Sequence, residues 1–375
     1  MSKVGIMSMQ RLANYGSFLQ AYALKQLIEK LGHNVEFVDY HIGAPAIVEN
    51  ADNRNKYLRK IEKGLETFRY KAPLPHKLEF IQYKQSFGKK YTSMLGVTEE
   101  MNYNPELDCL VIGSDEVFNC IQKNSNVGYS PELFGKDNRA KKLITYAASF
   151  GNTTLEKLDR YGKKDEITEF LKRFDAISVR DTNSGSIVEC LTGQTPVYHL
   201  DPVLMYDYIH CCNKIPEVTI SEKYLILYAY SGRISDQESD WITAYAKKNK
   251  LKVYAIGGIQ KCADKFIDCT PFEVLAYFKN AEEIITDTFH GSIFSVITHR
   301  RFITLVRKSE GSSYGNEEKL TDLLIRLGLE ERCTCDIEQV EKIMQYTINY
   351  KDVDQILVQC RKEAFEYLQM ELTKS

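Results

Sequence analysis

Ile284-Ile285-Thr286-Asp287-Thr288-Phe289-His290-Gly291-Ser292 joins an apolar run to a polar turn, and an imidazole and a glycine open the helical pattern that follows. In an α/β chain this puts His290 at the carboxyl end of a strand, beside a helix N-terminus. Backbone N–H groups and the helix dipole favour anions there. An imidazole so placed could move a proton to or from a bound anion. The competing reading is that His290 only packs or caps the helix start. Thr288, Gly291 and Ser292 share the turn and are candidate anion contacts. Arg307 and Lys308 follow the next apolar run, Phe302 to Val306, and could bring cations to the same place.

Three further groups of residues have the same strand-end character. Asn14-Tyr15-Gly16-Ser17 is a strand-to-helix turn whose N–H groups could take an anion or a sugar hydroxyl. Gly113-Ser114-Asp115-Glu116-Val117-Phe118-Asn119 follows a buried-strand pattern, and its polar side chains could hold sugar hydroxyls or cap the next helix. Tyr146-Ala147-Ala148-Ser149-Phe150-Gly151 offers small residues that let a backbone approach a ligand closely, and pairs with Ser178-Val179-Arg180-Asp181. The planar fork of Arg180 suits a carboxylate or phosphate held by two hydrogen bonds. It could equally pair with Asp181 or bridge two domains. No dinucleotide G-x-G-x-x-G and no Walker A loop occurs.

The elements that must position these loops follow from periodicity. Apolar runs alternate with helical patterns along most of the 375 residues, which predicts βαβ units around parallel sheets, in two Rossmann-like domains facing a cleft. The first unit is Val4 to Ser8 as strand and Gly16 to Leu31 as helix. Residues 41–100 break the rhythm. Between Arg54 and Lys90 there are eleven Lys/Arg against three Glu, interleaved with aromatics. This predicts a basic helical insertion in an N-terminal domain of residues 1–205, with a face for an anionic surface or for solvent alone. A linker is expected at 206–222 and a C-terminal domain at 223–346. A helix at 347–375 is expected to pack back on the first domain. Ser235-Asp236-Gln237-Glu238 and Thr270-Pro271-Phe272-Glu273 match capping boxes.

Composition narrows the partners. A net charge of -2 gives no reason to expect nucleic acid. Ten cysteines without a CxxC pair or zinc-finger spacing read as small buried hydrophobes of a reducing cytoplasm, with no structural metal. Neither a secretory leader nor a run of about 18 apolar residues is present, so a cytoplasmic protein is expected.

Taken in order, Asn14-Tyr15-Gly16 with Leu19-Gln20-Ala21-Tyr22-Ala23-Leu24, Gly113 to Asn119, Tyr146 to Gly151, Ser178 to Asp181, Asp201-Pro202, Thr286 to Gly291 and Leu323-Leu324-x-x-Leu327-Gly328-Leu329 resemble the polysaccharide pyruvyl transferase family. The resemblance implies a GT-B-like fold and pyruvyl transfer from phosphoenolpyruvate to a sugar of a surface polysaccharide or its lipid-linked precursor, forming a pyruvate ketal. It implies no cofactor beyond that co-substrate. His290 then corresponds to the catalytic histidine and Arg180 to an arginine associated with the donor. Thr288, Gly291, Ser292, Arg307 and Lys308 become donor-binding candidates. Asn14, Tyr15, Gly16, Ser114, Asp115, Asn119 and Ser149 become acceptor-binding candidates. Some members carry Arg-Leu-His where this chain has Thr288-Phe289-His290, so Arg307 or Lys308 is expected to supply the cation. The basic insertion could dock the protein at the inner face of a membrane. The rival expectations are a GT-B glycosyltransferase using a nucleotide sugar, and a non-catalytic glycan-binding protein of the same fold.

Overall fold

In the computed structural model, which describes residues 1–48, 66–122, 124–307 and 317–373, the chain builds two six-stranded sheets. The first contains β1 (Lys3–Met7), β2 (Asn34–Phe37), β3 (Glu106–Asp115), β4 (Arg139–Ala148), β5 (Ser178–Val179) and β6 (Val197–Tyr198), in the order β2-β1-β3-β4-β5-β6. The second contains β7 (Tyr224–Tyr228), β8 (Lys252–Ile256), β9 (Lys265–Phe266), β10 (Glu283–Thr286), β11 (Arg301–Leu305) and β12 (Cys333–Thr334), in the order β12-β11-β10-β7-β8-β9. Every pairing between these strands is parallel. Read from its other edge, the second sheet has the strand order of a dinucleotide-binding fold. Helices cover both faces of such sheets, so their central strands are apolar without alternation. All residues of β7 and β10 are buried.

The helices that matter for the site are α1 (Tyr15–Lys30), α2 (Leu74–Tyr91), α3 (Thr182–Thr192), α4 (Asp236–Lys248), α5 (Pro271–Asn280), α6 (Phe289–Ile297), α7 (Glu317–Arg326) and α8 (Tyr350–Thr373). Their starts are set by side-chain caps. The Asn14 side chain accepts from the N–H groups of Gly16 and Ser17 at α1, and both expected capping boxes are formed at α4 and α5. In each sheet the strand order reverses beside a central strand, between β1 and β3 and between β7 and β10. Ligand crevices open at such reversals, beyond the carboxyl ends of the strands. The two crevices face each other. This is a two-domain, Rossmann-like, GT-B-like fold.

Part of the basic insertion, residues 49–65, lies outside the described residues. The rest contains α2, whose Phe80, Tyr83, Phe87 and Tyr91 are buried. Their spacing puts them on one helix face. Tyr83 packs 5.3 Å from Tyr15 of the first domain, and Phe80 packs 5.7 Å from Phe266 of the second. Burying each such ring contributes about 1.5–3 kcal/mol, so α2 is a strut between the domains as well as a basic surface.

The segment expected as a linker is not a free tether. Tyr208 is buried and its hydroxyl donates to the Leu19 carbonyl at 2.6 Å, which holds the connection against α1. At the end of the chain, α8 runs from the second domain to the first. Tyr350 donates to the Arg300 carbonyl at 2.5 Å, and Tyr367 donates to the Thr145 carbonyl at 2.9 Å. Among the described residues no helix is long and apolar enough to cross a membrane, and no group of His, Cys, Asp and Glu side chains could hold a metal ion.

Candidate active site

A cleft of about 400 Å³ lies between the facing strand ends. The first domain lines it with Asn14, Ser17, Lys84, Asp115, Glu116 and Arg180. The second lines it with Tyr228, Tyr230, Arg233, Asp287, Thr288, Phe289, His290 and Lys319.

At its base a single buried carboxylate joins the two principal side chains. Asp201 Oδ2 accepts from Arg180 Nη1 at 3.1 Å and lies 3.5 Å from His290 Nε2. The longer contact is a charge contact rather than a formed hydrogen bond, because Nε2 finds no hydrogen-bonding geometry there. Asp201 Oδ1 accepts the Val203 N–H at 3.0 Å, which fixes the carboxylate plane. Burial pushes Asp201 up, but the charges of His290 and Arg180 outweigh it and hold the carboxyl below its usual range. Burial likewise lowers Arg180, and the surrounding carboxylates Asp115, Asp201, Asp181 and Glu116 more than offset it. Arg180 also lies 4.3 Å from the Phe289 ring, a cation–π contact across the domain boundary. Its ion-pair partners at 3.1 and 3.7 Å are therefore Asp201 and Asp115, and not its neighbour Asp181.

Gly16 explains how the imidazole fits. A Cβ on Gly16 would fall 2.2 Å from His290 Cγ and Nδ1, so the backbone of the α1 start is in contact with the ring. Asn14 Nδ2 donates to Tyr230 Oη at 3.3 Å, and Lys319 Nζ donates to Glu116 Oε1 at 2.8 Å; both bonds cross the cleft. Asp115, also on the wall, has a φ of 79°. That left-handed backbone is unusual for a non-glycine residue and concentrates at functional sites.

Several of the expected contact residues have partners elsewhere in the fold. Ser114 is fully buried and donates to the Ala147 carbonyl at 3.0 Å. Ser149 is buried and donates to Asp181 Oδ2 at 2.6 Å, while Asn119 donates to Glu116 Oε2 at 2.9 Å. These polar side chains hold loops together behind the wall. Tyr15 turns away as well, donating to the Cys269 carbonyl at 3.0 Å. The Gly291 N–H is taken by Thr288 Oγ1 at 2.9 Å, and the Ser292 N–H reaches the Thr288 carbonyl at 3.2 Å, so both serve the cap of α6. Thr288 lines the cleft but acts as that cap. Arg307 donates to Glu238 Oε1 at 2.5 Å, at the start of α4, and is not part of the cleft lining. Lys308 lies outside the described residues. So does Gly311-Ser312-Ser313-Tyr314-Gly315, which has G-x-S-x-G spacing.

The site residues that strand-end reading passed over are Lys84, Tyr230, Arg233, Asp287 as a titrating group, and Lys319. Arg233 and Lys319 sit in stretches without a motif, so composition gave no signal for them. Asp201 had a signal, since an Asp-Pro pair after a strand caps a turn.

Two Rossmann-like domains that close a charged, histidine-bearing cleft at paired switch points define a GT-B-like architecture suited to group transfer. The chain belongs to the polysaccharide pyruvyl transferase family: the family profile of that description matches residues 14–309. No curated protein matches the chain. Among solved structures it is similar to a mutant O-GlcNAc transferase of Thermobaculum terrenum, at 12% identity and a TM-score of 0.45, covering 99% of this chain and 66% of that one. A putative UDP-N-acetylglucosamine 2-epimerase from Listeria monocytogenes matches at 10% identity and a TM-score of 0.45, covering 98% and 97% of the two chains. An alpha-glucosyltransferase in complex with UDP matches at 11% identity and a TM-score of 0.45, covering 99% and 96%.

Proposed function

We propose that the protein transfers a pyruvyl group from phosphoenolpyruvate to two hydroxyls of a sugar in a polysaccharide or its lipid-linked precursor. The observation that carries this reading is the Arg180–Asp201–His290 cluster at the cleft base. It brings a guanidinium and an imidazole to one buried carboxylate, which supports this reading. Phosphoenolpyruvate presents a carboxylate, a phosphate and a carbon that must be protonated.

In the proposed reaction His290 gives a proton to the methylene carbon of the enol, making it a methyl group. The first sugar hydroxyl adds to the cationic carbon and loses its proton to the base so formed. The C–O bond to phosphate then breaks, and the second hydroxyl closes the ketal. Of the two hydroxyl protons released, one balances the proton placed on carbon and the other leaves with phosphate. Asp201 lies 3.5 Å from the imidazole Nε2, and Arg180 faces the donor's negative charge. Asn14, Ser17, Asp115 and Glu116 offer the acceptor a wall of hydrogen-bonding groups. Asp115 Oδ2 already accepts from Ser17 at 3.0 Å, which aims the carboxylate.

General acid–base help of this kind is worth about 10²- to 10⁴-fold. His290→Ala is therefore expected to lose that much of the phosphate release that depends on both phosphoenolpyruvate and glycan acceptor, while remaining folded. A folded variant with wild-type turnover removes His290 from the chemistry. A thermal-shift panel separates the rival donors. Stabilisation by phosphoenolpyruvate supports this reading, and stabilisation by nucleoside diphosphates alone overturns it.

A further inference from the structure

Among the described residues, four lysine and arginine side chains line the cleft: Lys84, Arg180, Arg233 and Lys319. Three of them face a carboxylate. Arg180 has Asp201 at 3.1 Å and Asp115 at 3.7 Å, Arg233 has Asp287 at 3.6 Å, and Lys319 has Glu116 at 2.8 Å. Lys84 is the exception. Its Nζ donates to the Ala13 carbonyl at 3.3 Å, and no carboxylate is among the influences on its charge. We propose that Lys84 is a phosphate-binding residue of the cleft, supplied to the site by the basic insertion. The assignment rests on the reading of the cleft as the place where a pyruvyl donor meets a glycan acceptor.

The position of Lys84 is fixed by α2, which is anchored to both domains. Tyr83 packs against Tyr15, Phe80 packs against Phe266, and Lys90 Nζ lies 3.7 Å from the Asp268 carboxylate. Phe80 precedes Lys84 by one helical turn, so the two share a face. Lys84 Nζ stands 5.5 Å from the centre of the Phe80 ring and 5.7 Å from that of Tyr83. Ring faces attract a cation at such distances. Ala13, which accepts its bond, directly precedes Asn14, the cap of α1. Gly16, two residues beyond that cap, packs on the His290 ring. The ammonium therefore stands at the same turn as the proposed general acid.

An ammonium so placed suits a phosphate. It has three N–H donors, and the Ala13 carbonyl takes one. Solvent in the cleft reaches Lys84, yet the surrounding protein lowers its ammonium through burial, with no negative side chain to offset this. A bound anion supplies the missing charge. A compact charge on a flexible stem can follow a phosphate group as it arrives or departs, whereas a planar fork fixes one geometry. Both substrates of the proposed reaction offer that group. The donor carries a phosphate, and a lipid-linked acceptor carries a diphosphate.

Calorimetry of the full chain at neutral pH tests this, with phosphoenolpyruvate, inorganic phosphate and farnesyl diphosphate, a soluble stand-in for a lipid-linked diphosphate. Lys84→Met keeps the length of the side chain without its charge. It should bind about 10- to 100-fold more weakly, the loss of a charge-assisted hydrogen bond. Lys84→Arg should retain most of the affinity, and Lys84→Gln gives the same reading as Lys84→Met if that variant does not fold. Lys89→Met removes an exposed charge from the same helix, outside the cleft lining, and should bind like the wild type. An equal loss there would mean that the insertion acts only through its overall field, and overturns the assignment. A loss confined to phosphoenolpyruvate and inorganic phosphate supports Lys84 as a donor contact, and one confined to farnesyl diphosphate supports it as an acceptor contact. If the wild-type protein binds farnesyl diphosphate alone and Lys84→Met weakens it, the donor reading falls and Lys84 stands. Wild-type affinity of Lys84→Met for all three ligands overturns the assignment and leaves the proposed reaction standing. A wild-type protein that binds none of the three overturns both.

Discussion

At the residue scale, the site depends on one close approach and one shared carboxylate. Gly16 is required by proximity, since its backbone touches the His290 ring and a Cβ there would overlap it at 2.2 Å. Gly16→Ala should displace the imidazole from Asp201. The expected result is a fall in turnover of at least about tenfold, since an ångström of misplacement can cost about 10²-fold. The fold should persist by circular dichroism. Unchanged turnover would show that His290 adapts, and so that its position is not critical. The motif at 286–292 made His290 legible as a strand-end residue, but its contacts with Gly16 and Asp201 join positions 274 and 89 residues away in the chain. No spacing rule links them.

At the element scale, the turn before α6 serves the helix first. Thr288 Oγ1 accepts from the Gly291 N–H at 2.9 Å and also contacts Thr286 Oγ1 at 3.1 Å. Ser292 Oγ and Thr304 Oγ1, 2.8 Å apart, continue this chain of buried hydroxyls towards β11. Loss of such a cap typically costs about 1 kcal/mol. Thr288→Ala should lower stability by about that amount in denaturant unfolding, and Thr288→Ser should restore most of it. Equal stability of the two variants would argue against the cap. The strand and helix positions were legible from periodicity, and the capping boxes from their letters. That the Gly291 and Ser292 N–H groups close the cap was not legible in any letter, because backbone N–H groups satisfied within a cap look the same in sequence as those open to a ligand.

At the scale of the whole molecule, the two domains are held together across the cleft as well as beneath it. Core packing through α1, α2 and α5 includes Tyr22 against Phe272 at 5.0 Å. Above the cleft, Lys319 of α7 bonds Glu116 of the first domain, and Arg326 donates to the Arg180 carbonyl at 2.7 Å. The Lys319–Glu116 pair is partly shielded, with side-chain exposures of 20% and 14%. A double-mutant cycle on thermal or denaturant stability, with Lys319→Ala and Glu116→Gln, should give a coupling of about 1 kcal/mol. A coupling indistinguishable from zero would mean that the bridge does not hold the domains closed.

The amino-acid sequence alone determined the alternation of strands and helices, the caps that start the helices, and the strand-end loops that carry reactive side chains. These are local properties, written in periods of two and 3.6 residues and in turn chemistry. Only the tertiary structure decided which loop faces which. It turned Ser114, Asn119, Ser149 and Tyr15 away from the cleft, committed Arg307 to Glu238, and brought Arg233 and Lys319 in. The physical reason is that a side chain's partner is chosen by strand order and by the angle between two domains. Both depend on packing between segments far apart in the chain.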